Sequence, residues 1–320
     1  MLDNVLRGTM IDLTRLKAFI FSAESLSFSE ASRQLHLTQP TISHHIKTLE
    51  QTLGVNLFLR HGNQLELTEA GRMLIPWARK LIRQSNEIKD LMGSIQQEAV
   101  GNLRIACSTA SGKYILPHLA ARFRLQFPGV QISILPCAPA QMVTKLLENE
   151  AQLGLISSEM VDESMESQTL YVDTIQLLVP LDHPFVQQEK VYPADILSEN
   201  IISREPGSGT RKVVLSELAK HDISYDDLNI FLELGNAEGI VQMVSAGYGI
   251  AFVSELIANE ALASNKVAVV KVEELTLLRR VFMVRKAIQT PLRVTEAFWT
   301  FVNDPMNKDI LPAPFRQSSS

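Results

Sequence analysis

Five polar side chains between residues 39 and 47 are of the types that bind DNA, and their spacing predicts that they share one helix. Amides, hydroxyls, imidazoles and amines form hydrogen bonds with base edges in the major groove and with phosphates. The five residues are Gln39, Thr41, Ser43, His44 and Lys47. Their chemistry indicates nucleic-acid recognition, provided that a helix presents them together.

The residues around this polar group have the pattern of a capped amphipathic helix. Thr38 is placed to cap the helix N-terminus through its hydroxyl. Pro40 falls in the first turn, where its missing N–H costs nothing. Apolar residues then recur every three or four positions, which predicts one buried face opposite the polar one. These apolar residues are Ile42, Ile46, Leu49 and Leu53.

Two further helices and a hairpin are predicted around this helix. An apolar face through Leu13, Leu16 and Ile20 predicts the first helix. Ser27 and Glu30 form a capping box that opens the second. Residues 55–67 have the pattern of two short strands joined by a polar tip. Together these elements predict a winged helix-turn-helix DNA-binding domain over residues 10–67.

The same region resembles the N-terminal signature of the LysR-type transcriptional regulators. The likeness extends over nearly the whole chain and implies a bacterial transcription factor with a C-terminal effector domain. The residues that carry the signature, with the family's spacing, are Ala31, Leu35, Thr38, Gln39, Pro40, Thr41, Ile42, Ser43, Ile46, Leu49, Glu50, Leu53, Gly54, Leu57, Phe58, Arg60, Leu67, Thr68, Ala70 and Gly71.

The resemblance also implies which residues meet DNA. Residues 39–41, 43 and 44 match family positions at the DNA, and Arg60 matches an arginine of the wing that approaches the minor groove. His44 stands where many members have arginine, so we expect weaker phosphate contacts than is usual in the family. The full predicted set is Ser29, Arg33, Thr38, Gln39, Pro40, Thr41, Ser43, His44, Lys47 and Arg60.

Residues 68–98 are predicted to form a long helix that pairs with a second copy of the chain. Apolar residues step by four and three alternately, which is the heptad pattern of a helical seam. A homodimer would also match the two-fold symmetry of a palindromic DNA site. The alternative is that this stripe packs on its own domain, and Pro76 is expected to kink the helix or to mark a later start. The predicted dimer contacts are Leu74, Ala78, Leu81, Ile88, Met92 and Ile95.

Strands and helices alternate from residue 101 onward, which predicts an α/β fold with parallel strands. The pattern divides into two lobes joined by crossing strands, residues 101–173 plus 275–305 and residues 174–274. This arrangement resembles the effector domain of LysR-type regulators and the periplasmic solute-binding proteins. We predict an effector-binding domain over residues 101–305 and a disordered tail over residues 306–320.

Two hydroxyl-rich loops, residues 108–112 and 203–211, each lead from a strand into a helix. Such positions offer free N–H groups that bind anions, and parallel strands place ligands at their carboxyl ends. If the lobes face each other, both loops meet in one cleft, which predicts a site for a small anionic metabolite. The alternative is that the hydroxyls only cap their helices. The predicted effector residues are Ser108, Thr109, Ser111, Ser203, Ser208 and Thr210.

Composition alone does not indicate DNA binding. The chain has 320 residues and a net charge of −5, and residues 12–72 carry six Lys and Arg against six Asp and Glu, so the usual basic footprint is absent. The sequence contains no run of about 18 apolar residues, so no membrane span is predicted. Residues 1–5 lack the basic-then-apolar pattern of a secretory signal, so none is expected. We therefore expect a cytoplasmic protein, with Met1 or Met10 left open as its start.

Other classes of function find little support in the sequence. No nucleophile elbow, metal-ligand cluster or cofactor motif is present, so no catalytic residue, metal or cofactor is predicted. Cys107 and Cys137 are expected to be buried, reduced thiols, with a redox-switched disulfide as the alternative. A small-molecule enzyme and a solute-binding protein remain the competing classes. The leading prediction is a homodimeric or homotetrameric regulator that binds double-stranded promoter DNA and a small anionic metabolite, with RNA polymerase as a further candidate partner.

Overall fold

A computed structural model describes residues 11–61, 64–93, 99–107, 110–157, 162–287 and 292–311. Contacts divide the chain into two compact units, Met1–Ile95 and Gln96–Ser320. In these described ranges, no helix combines the length and the apolar character needed to cross a membrane.

The first unit is a winged helix-turn-helix followed by a long helix, as predicted. β1 and β2 pair antiparallel, with Phe58 opposite Leu67, to form the hairpin. The tip residues 62 and 63 lie outside the described residues. The elements are α1 (Leu13–Ser25), α2 (Phe28–Gln34), α3 (Gln39–Leu53), β1 (Phe58–His61), β2 (Gln64–Leu67) and α4 (Glu69–Gly93).

Side-chain caps fix where the first three helices begin. The Asp12 carboxylate accepts from the N–H of Thr14 at 2.7 Å, and the Ser27 hydroxyl accepts from the N–H of Glu30 at 3.2 Å. Thr38 caps α3 as predicted, since its hydroxyl accepts from the N–H of Thr41 at 3.4 Å. Gly54, with φ at +73°, ends α3 in the left-handed conformation that glycine adopts without strain.

The core of the first unit draws on all of these elements. Phe58 of β1 packs edge-on against Phe19 of α1 and Phe28 of α2, with ring centroids 5.7 and 5.4 Å apart. Ile42, Ile46 and Leu49 are buried in the same cluster. The predicted apolar face of α3 is therefore turned into the core, and its polar face is left at the surface.

The second unit is built on a seven-stranded mixed sheet. The strand order is β10-β6-β11-β5-β3-β4, with β9 also paired to β6, and β7 and β8 form a separate parallel pair. β3 pairs parallel with β4 and β5, as the alternation of strands and helices predicts. The strands are β3 (Gly101–Cys107), β4 (Val130–Pro136), β5 (Leu153–Ile156), β6 (Met165–Pro180), β7 (Ile201–Arg204), β8 (Ile230–Leu234), β9 (Ala251–Ser254), β10 (Val267–Val270) and β11 (Leu278–Lys286).

Helices cover the sheet and give each end its own apolar core. One cluster includes Phe123 and Phe298, and another includes Ile196 and Ile250. The helices are α5 (Ala110–Tyr114), α6 (Leu116–Gln126), α7 (Met142–Leu147), α8 (Gly209–Leu218), α9 (Ala237–Ser245), α10 (Glu255–Ala263) and α11 (Arg293–Phe301).

β6 is the strand that joins the two ends of the sheet. Residues 165–174 of β6 pair antiparallel with β11, whereas residues 175–180 pair with β9 or β10. The unit therefore has two lobes that share a long strand, which positions the loops of both lobes around its middle.

The predicted disorder of residues 306–311 is wrong. The buried Asn307 side chain donates to the Phe301 carbonyl at 2.6 Å, and Arg122 forms two hydrogen bonds with Asp309 at 2.7 and 2.8 Å. These polar contacts, together with the packing of Ile310 and Leu311 against the apolar core, hold the segment against α6. Residues 312–320 of the predicted tail lie outside the described residues.

Candidate functional site

The polar face of α3 is accessible along its length. Thr41 and Ser43 are half-buried, while Gln39, His44 and Lys47 are exposed. Thr38 and Pro40 are exposed at the start of the same helix. Backbone geometry thus places these predicted residues on one surface, where the polar side chains can form hydrogen bonds with base edges and phosphates.

The remaining residues of the predicted set lie on neighbouring elements. Ser29 and Arg33 are exposed on α2, and Arg33 forms an ion pair of 2.8 Å with Glu30, so part of its charge is compensated. Arg60 lies on β1 opposite Leu65. The side chain of Arg60 lies outside the described residues.

A groove of about 720 Å³ runs beside α3 and extends the predicted surface. Ser43 and Lys47 line it, together with Gln51 and Asn56, which the sequence analysis did not select. Gln51 was open to prediction, because it follows Lys47 by four residues and so shares its helix face. Asn56 lies beyond the end of the helix, so helical spacing could not find it.

The long helix α4 runs through Pro76 without a break. Ala78 is 0% exposed and packs in the core of its own unit, and Leu74 packs against the same core. The assignment of Ala78 to a dimer seam is thereby corrected, because its surface is already covered within the chain. Ile95 lies outside the described residues.

Three of the predicted dimer contacts, Leu81, Ile88 and Met92, lie on an apolar stripe that is exposed on α4. Met73 and Trp77, which the heptad pattern did not select, are 67% and 64% exposed. At about 100° per residue the stripe spans roughly 100° of the helix surface, next to the buried face. The exposed apolar residues are Met73, Trp77, Leu81, Ile88 and Met92.

In the second unit, a buried polar network lies where β6 and β11 pair. Asp173 and Arg279 form an ion pair, and each side chain is 1% exposed. Ser254 donates to Asp173 at 2.8 Å, and Arg279 donates to the hydroxyl of Thr210 at 3.1 Å. Asp173 itself could have indicated this network, because a charged residue inside an apolar strand is rare unless it is paired.

One predicted hydroxyl loop joins this network through Thr210, and the other contacts β6 two residues before Asp173. Ser111 forms a hydrogen bond of 2.6 Å with the hydroxyl of Tyr171, whose pKa is raised by burial so that it stays neutral. In the other loop, the Thr210 hydroxyl accepts from Arg279 of the ion pair. Ser203 instead donates to the Arg204 carbonyl at 3.2 Å. Ser108 and Thr109, the other two predicted effector residues, lie outside the described residues.

Ser208 differs from the other hydroxyls of the predicted site. It precedes the first residue of α8 and is 3% exposed, yet its Oγ atom has no hydrogen-bond partner among the described residues. A helix N-terminus attracts negative charge through its free N–H groups. A buried hydroxyl without a partner at that position can donate to a bound acceptor.

Three charged side chains of the two hydroxyl loops and their helices, Arg204, Arg211 and Lys113, are paired with carboxylates. Arg204 binds Glu205 at 2.7 Å, and Arg211 binds Glu233 at 2.6 Å. Lys113 of α5 binds Glu238 of α9 at 2.8 Å. Burial by itself raises the pKa of Glu238, but the hydrogen bond and charge of Lys113, together with hydrogen bonds from the backbone and Tyr114, outweigh it, so the net shift is downward.

The two cysteines are buried and unbridged. Cys107 ends β3, and the N–H of Cys137 donates to its carbonyl at 3.0 Å. Burial raises the pKa of Cys107 to about 12 and also raises the pKa of Cys137. The thiolate is the reactive form of cysteine, so the geometry favours inert thiols over a redox switch.

Two family models match the chain and together span most of it. The model described as "LysR substrate binding domain" matches residues 96–306. The model described as "Bacterial regulatory helix-turn-helix protein, lysR family" matches residues 13–72.

Curated relatives match over most of their length. The chain is 31% identical over 290 residues to an uncharacterized HTH-type transcriptional regulator of Methanocaldococcus jannaschii. This match covers 91% of this chain and 98% of the relative. It is 29% identical over 242 residues to the HTH-type transcriptional activator CmpR of Synechocystis, with 76% of this chain and 78% of the relative covered.

Solved structures share the fold. Full-length CbnR, in complex with its target DNA, superposes with a TM-score of 0.71 at 20% identity, over 91% of this chain and 99% of that one. The CcmR regulatory domain of Synechocystis, in complex with 2-PG, gives a TM-score of 0.57 at 25% identity, over 63% of this chain and 95% of that one.

Proposed function

The chain belongs to the LysR family of DNA-binding transcriptional regulators, and we propose that it acts as a homodimer or homotetramer whose effector is a small anion. Its relatives are regulators and not enzymes. We assign DNA recognition to residues 10–67, dimerisation to residues 68–98 and effector binding to residues 101–305. The cytoplasm is the proposed place of action, and RNA polymerase is a further proposed partner.

The observation that carries the effector proposal is the buried hydroxyl of Ser208 at the N-terminus of α8, for which the described part of the chain supplies no hydrogen-bond partner. Leaving such a group without a partner costs about 1–3 kcal/mol, and a bound acceptor recovers that free energy. Arg204 and Arg211 are already paired with carboxylates. The anion is therefore held by N–H and hydroxyl donors, and the CcmR complex with 2-PG makes 2-PG a suitable first probe.

Thermal shift and isothermal titration of the full chain test the effector site with 2-PG, inorganic phosphate and acetate as probes. A ligand that binds only the folded chain raises its apparent stability. We expect at least one probe to bind, and Ser208→Ala together with Thr210→Val to weaken that binding. Ser198→Ala, at an exposed serine elsewhere in the same unit, is the control. Binding that is unchanged in the double variant would exclude this site.

The DNA proposal is tested by gel shift with the region upstream of the chain's own gene. Lys47→Ala is expected to weaken binding and to reduce the salt slope by about one, as for loss of one phosphate contact. Lys17→Ala is a matched control, because this exposed lysine lies on α1 outside the reading face. Equal affinities and salt slopes for the two variants would contradict the assignment of Lys47.

The exposed stripe of α4 supports the dimer proposal. Apolar surface of this extent on a helix is stabilised when a second helix covers it. Sedimentation of Leu81→Glu with Ile88→Glu is expected to show a smaller assembly than the unmodified chain. Leu125→Glu changes an exposed leucine of α6 and serves as the control. A double variant that sediments like the unmodified chain would place the interface elsewhere.

A further inference from the structure

Glu50 links α3 to the start of the wing. It lies three residues after Lys47 on α3, and its Oε1 atom accepts two backbone hydrogen bonds, from Leu57 at 2.8 Å and from Phe58 at 3.2 Å. Leu57 and Phe58 are buried, and Phe58 is the first residue of β1. One carboxylate oxygen thus holds the backbone at the point where the wing begins.

The same backbone is also held from the other side. The N–H of Thr68 donates to the Leu57 carbonyl at 3.0 Å, and the Thr68 hydroxyl donates to the Asn56 carbonyl at 2.8 Å. These bonds close the base of the hairpin, but they do not involve α3. Polar contact between the wing and the reading helix is therefore made by Glu50, alongside the packing of Leu57, Phe58 and the leucines of β2 in the shared core.

The charge of Glu50 makes its position informative. Glu50 lines the same groove as Ser43 and Lys47. DNA binding is driven by neutralisation of phosphates, so a carboxylate in that groove opposes it. The need for an oxygen that accepts from the N–H groups of Leu57 and Phe58 is a physical reason for a carboxylate at this position.

We propose that Glu50 is a positioning residue that holds the wing at a fixed angle to α3, so that Arg60 and the reading face meet DNA together. This inference depends on the proposed DNA-binding surface. If the inference is right, removing the Glu50 oxygen and removing the Arg60 side chain each weaken DNA binding by the same route, because each removes the contact between the wing and the DNA.

The test compares two replacements of Glu50 in gel shifts with the upstream DNA. Glu50→Gln keeps an oxygen acceptor and removes the negative charge, so its affinity is expected to equal or exceed that of the unmodified chain. Glu50→Leu removes the acceptor, and its affinity is expected to fall about ten-fold, within the range for loss of one DNA contact. Affinities are corrected for the folded fraction measured by circular dichroism.

A double-mutant cycle with Arg60→Ala separates positioning from stability. We expect the double variant Glu50→Leu with Arg60→Ala to bind DNA no more weakly than Arg60→Ala alone. In the Glu50→Gln background, by contrast, Arg60→Ala is expected to lower the DNA affinity as much as it does in the unmodified chain. Additive losses, or an affinity of Glu50→Leu equal to that of the unmodified chain, would overturn the inference. Tighter binding by both Glu50 variants would also overturn it, since Glu50 would then act only as a repelling charge.

Two controls keep the outcomes distinct. If Glu50→Leu does not fold, Glu50→Ala replaces it, because water can then reach the two N–H groups. Failure of the unmodified chain to bind the DNA would count against the proposed function itself, whereas normal binding with additive variants would count only against the role of Glu50.

Discussion

Asp173 and Arg279 lie directly opposite each other in the antiparallel pairing of β6 and β11, and their side chains form a buried ion pair. Ser254 and Thr210 add hydrogen bonds to the two partners. Because Thr210 belongs to the loop that opens α8, the pair connects the strands shared by the two lobes to the proposed effector site.

Removing one partner of this pair is expected to be strongly destabilising. Arg279→Met leaves the Asp173 carboxylate buried without its counter-charge, which costs about 3–5 kcal/mol of the free energy of unfolding. Urea unfolding of the second unit measures the change. Arg280→Met, at the next and exposed residue of β11, is the control and is expected to change stability by less than about 0.5 kcal/mol. A similar loss in both variants would show that the pairing is not the cause.

Gly209 is expected to tolerate no side chain while Ser157 is present. A Cβ atom at residue 209 would lie 2.1 Å from the Ser157 Oγ and 3.0 Å from its Cβ. Gly209→Ala is therefore expected to destabilise the unit by about 1–3 kcal/mol, the usual cost of overpacking. Addition of Ser157→Gly should restore most of the stability measured by thermal unfolding.

Gly235→Ala is the matched control for that prediction. A Cβ atom at residue 235 would have no atom of the described residues within 4 Å, so the substitution is expected to leave stability unchanged or slightly increased. Equal destabilisation at residues 209 and 235 would contradict the steric explanation, as would a failure of Ser157→Gly to rescue Gly209→Ala.

Both thiols are expected to resist modification in the folded chain. Burial raises the pKa of Cys107 to about 12, so very little of it is thiolate at pH 8. Labelling with a thiol-specific chromogenic disulfide should be slow in buffer and complete for two thiols in denaturant. Loss of both thiols under mild oxidant, with formation of an intrachain disulfide, would instead support the redox alternative.

The contact between Arg122 and Asp309 is expected to weaken at low pH. The hydrogen bond from Arg122 lowers the pKa of Asp309 to about 2, compared with about 3.9 in an unfolded chain. The stabilisation is therefore fully present above about pH 4 and is lost as the pH falls toward 2. Carboxyl chemical shifts from NMR titration should show this low pKa, and Arg122→Ala should return it toward the unfolded value.

The sequence predicted the first unit well because its signals are local. Thr38 caps α3 as expected, and the apolar face of α3 turns inward. The heptad pattern of α4 was less informative, because it could not distinguish Ala78, which is buried within the chain, from Trp77, which is exposed. A periodic apolar stripe indicates that one face of a helix packs against another surface, but it does not distinguish packing within the chain from packing against a second copy.

By itself, the sequence determined the order of elements, the winged helix-turn-helix and the two-lobed α/β class, since these follow from periodicity, caps and turns within short stretches. Only the tertiary structure decided that Arg279 lies opposite Asp173, 106 residues earlier, and that Gly209 lies against Ser157. It also decided that Glu50 reaches the wing and that Ser208 is buried with no partner for its hydroxyl in the ranges that the structure describes. The physical reason is that strand register and the packing of distant segments are set by the whole core, which no local pattern encodes.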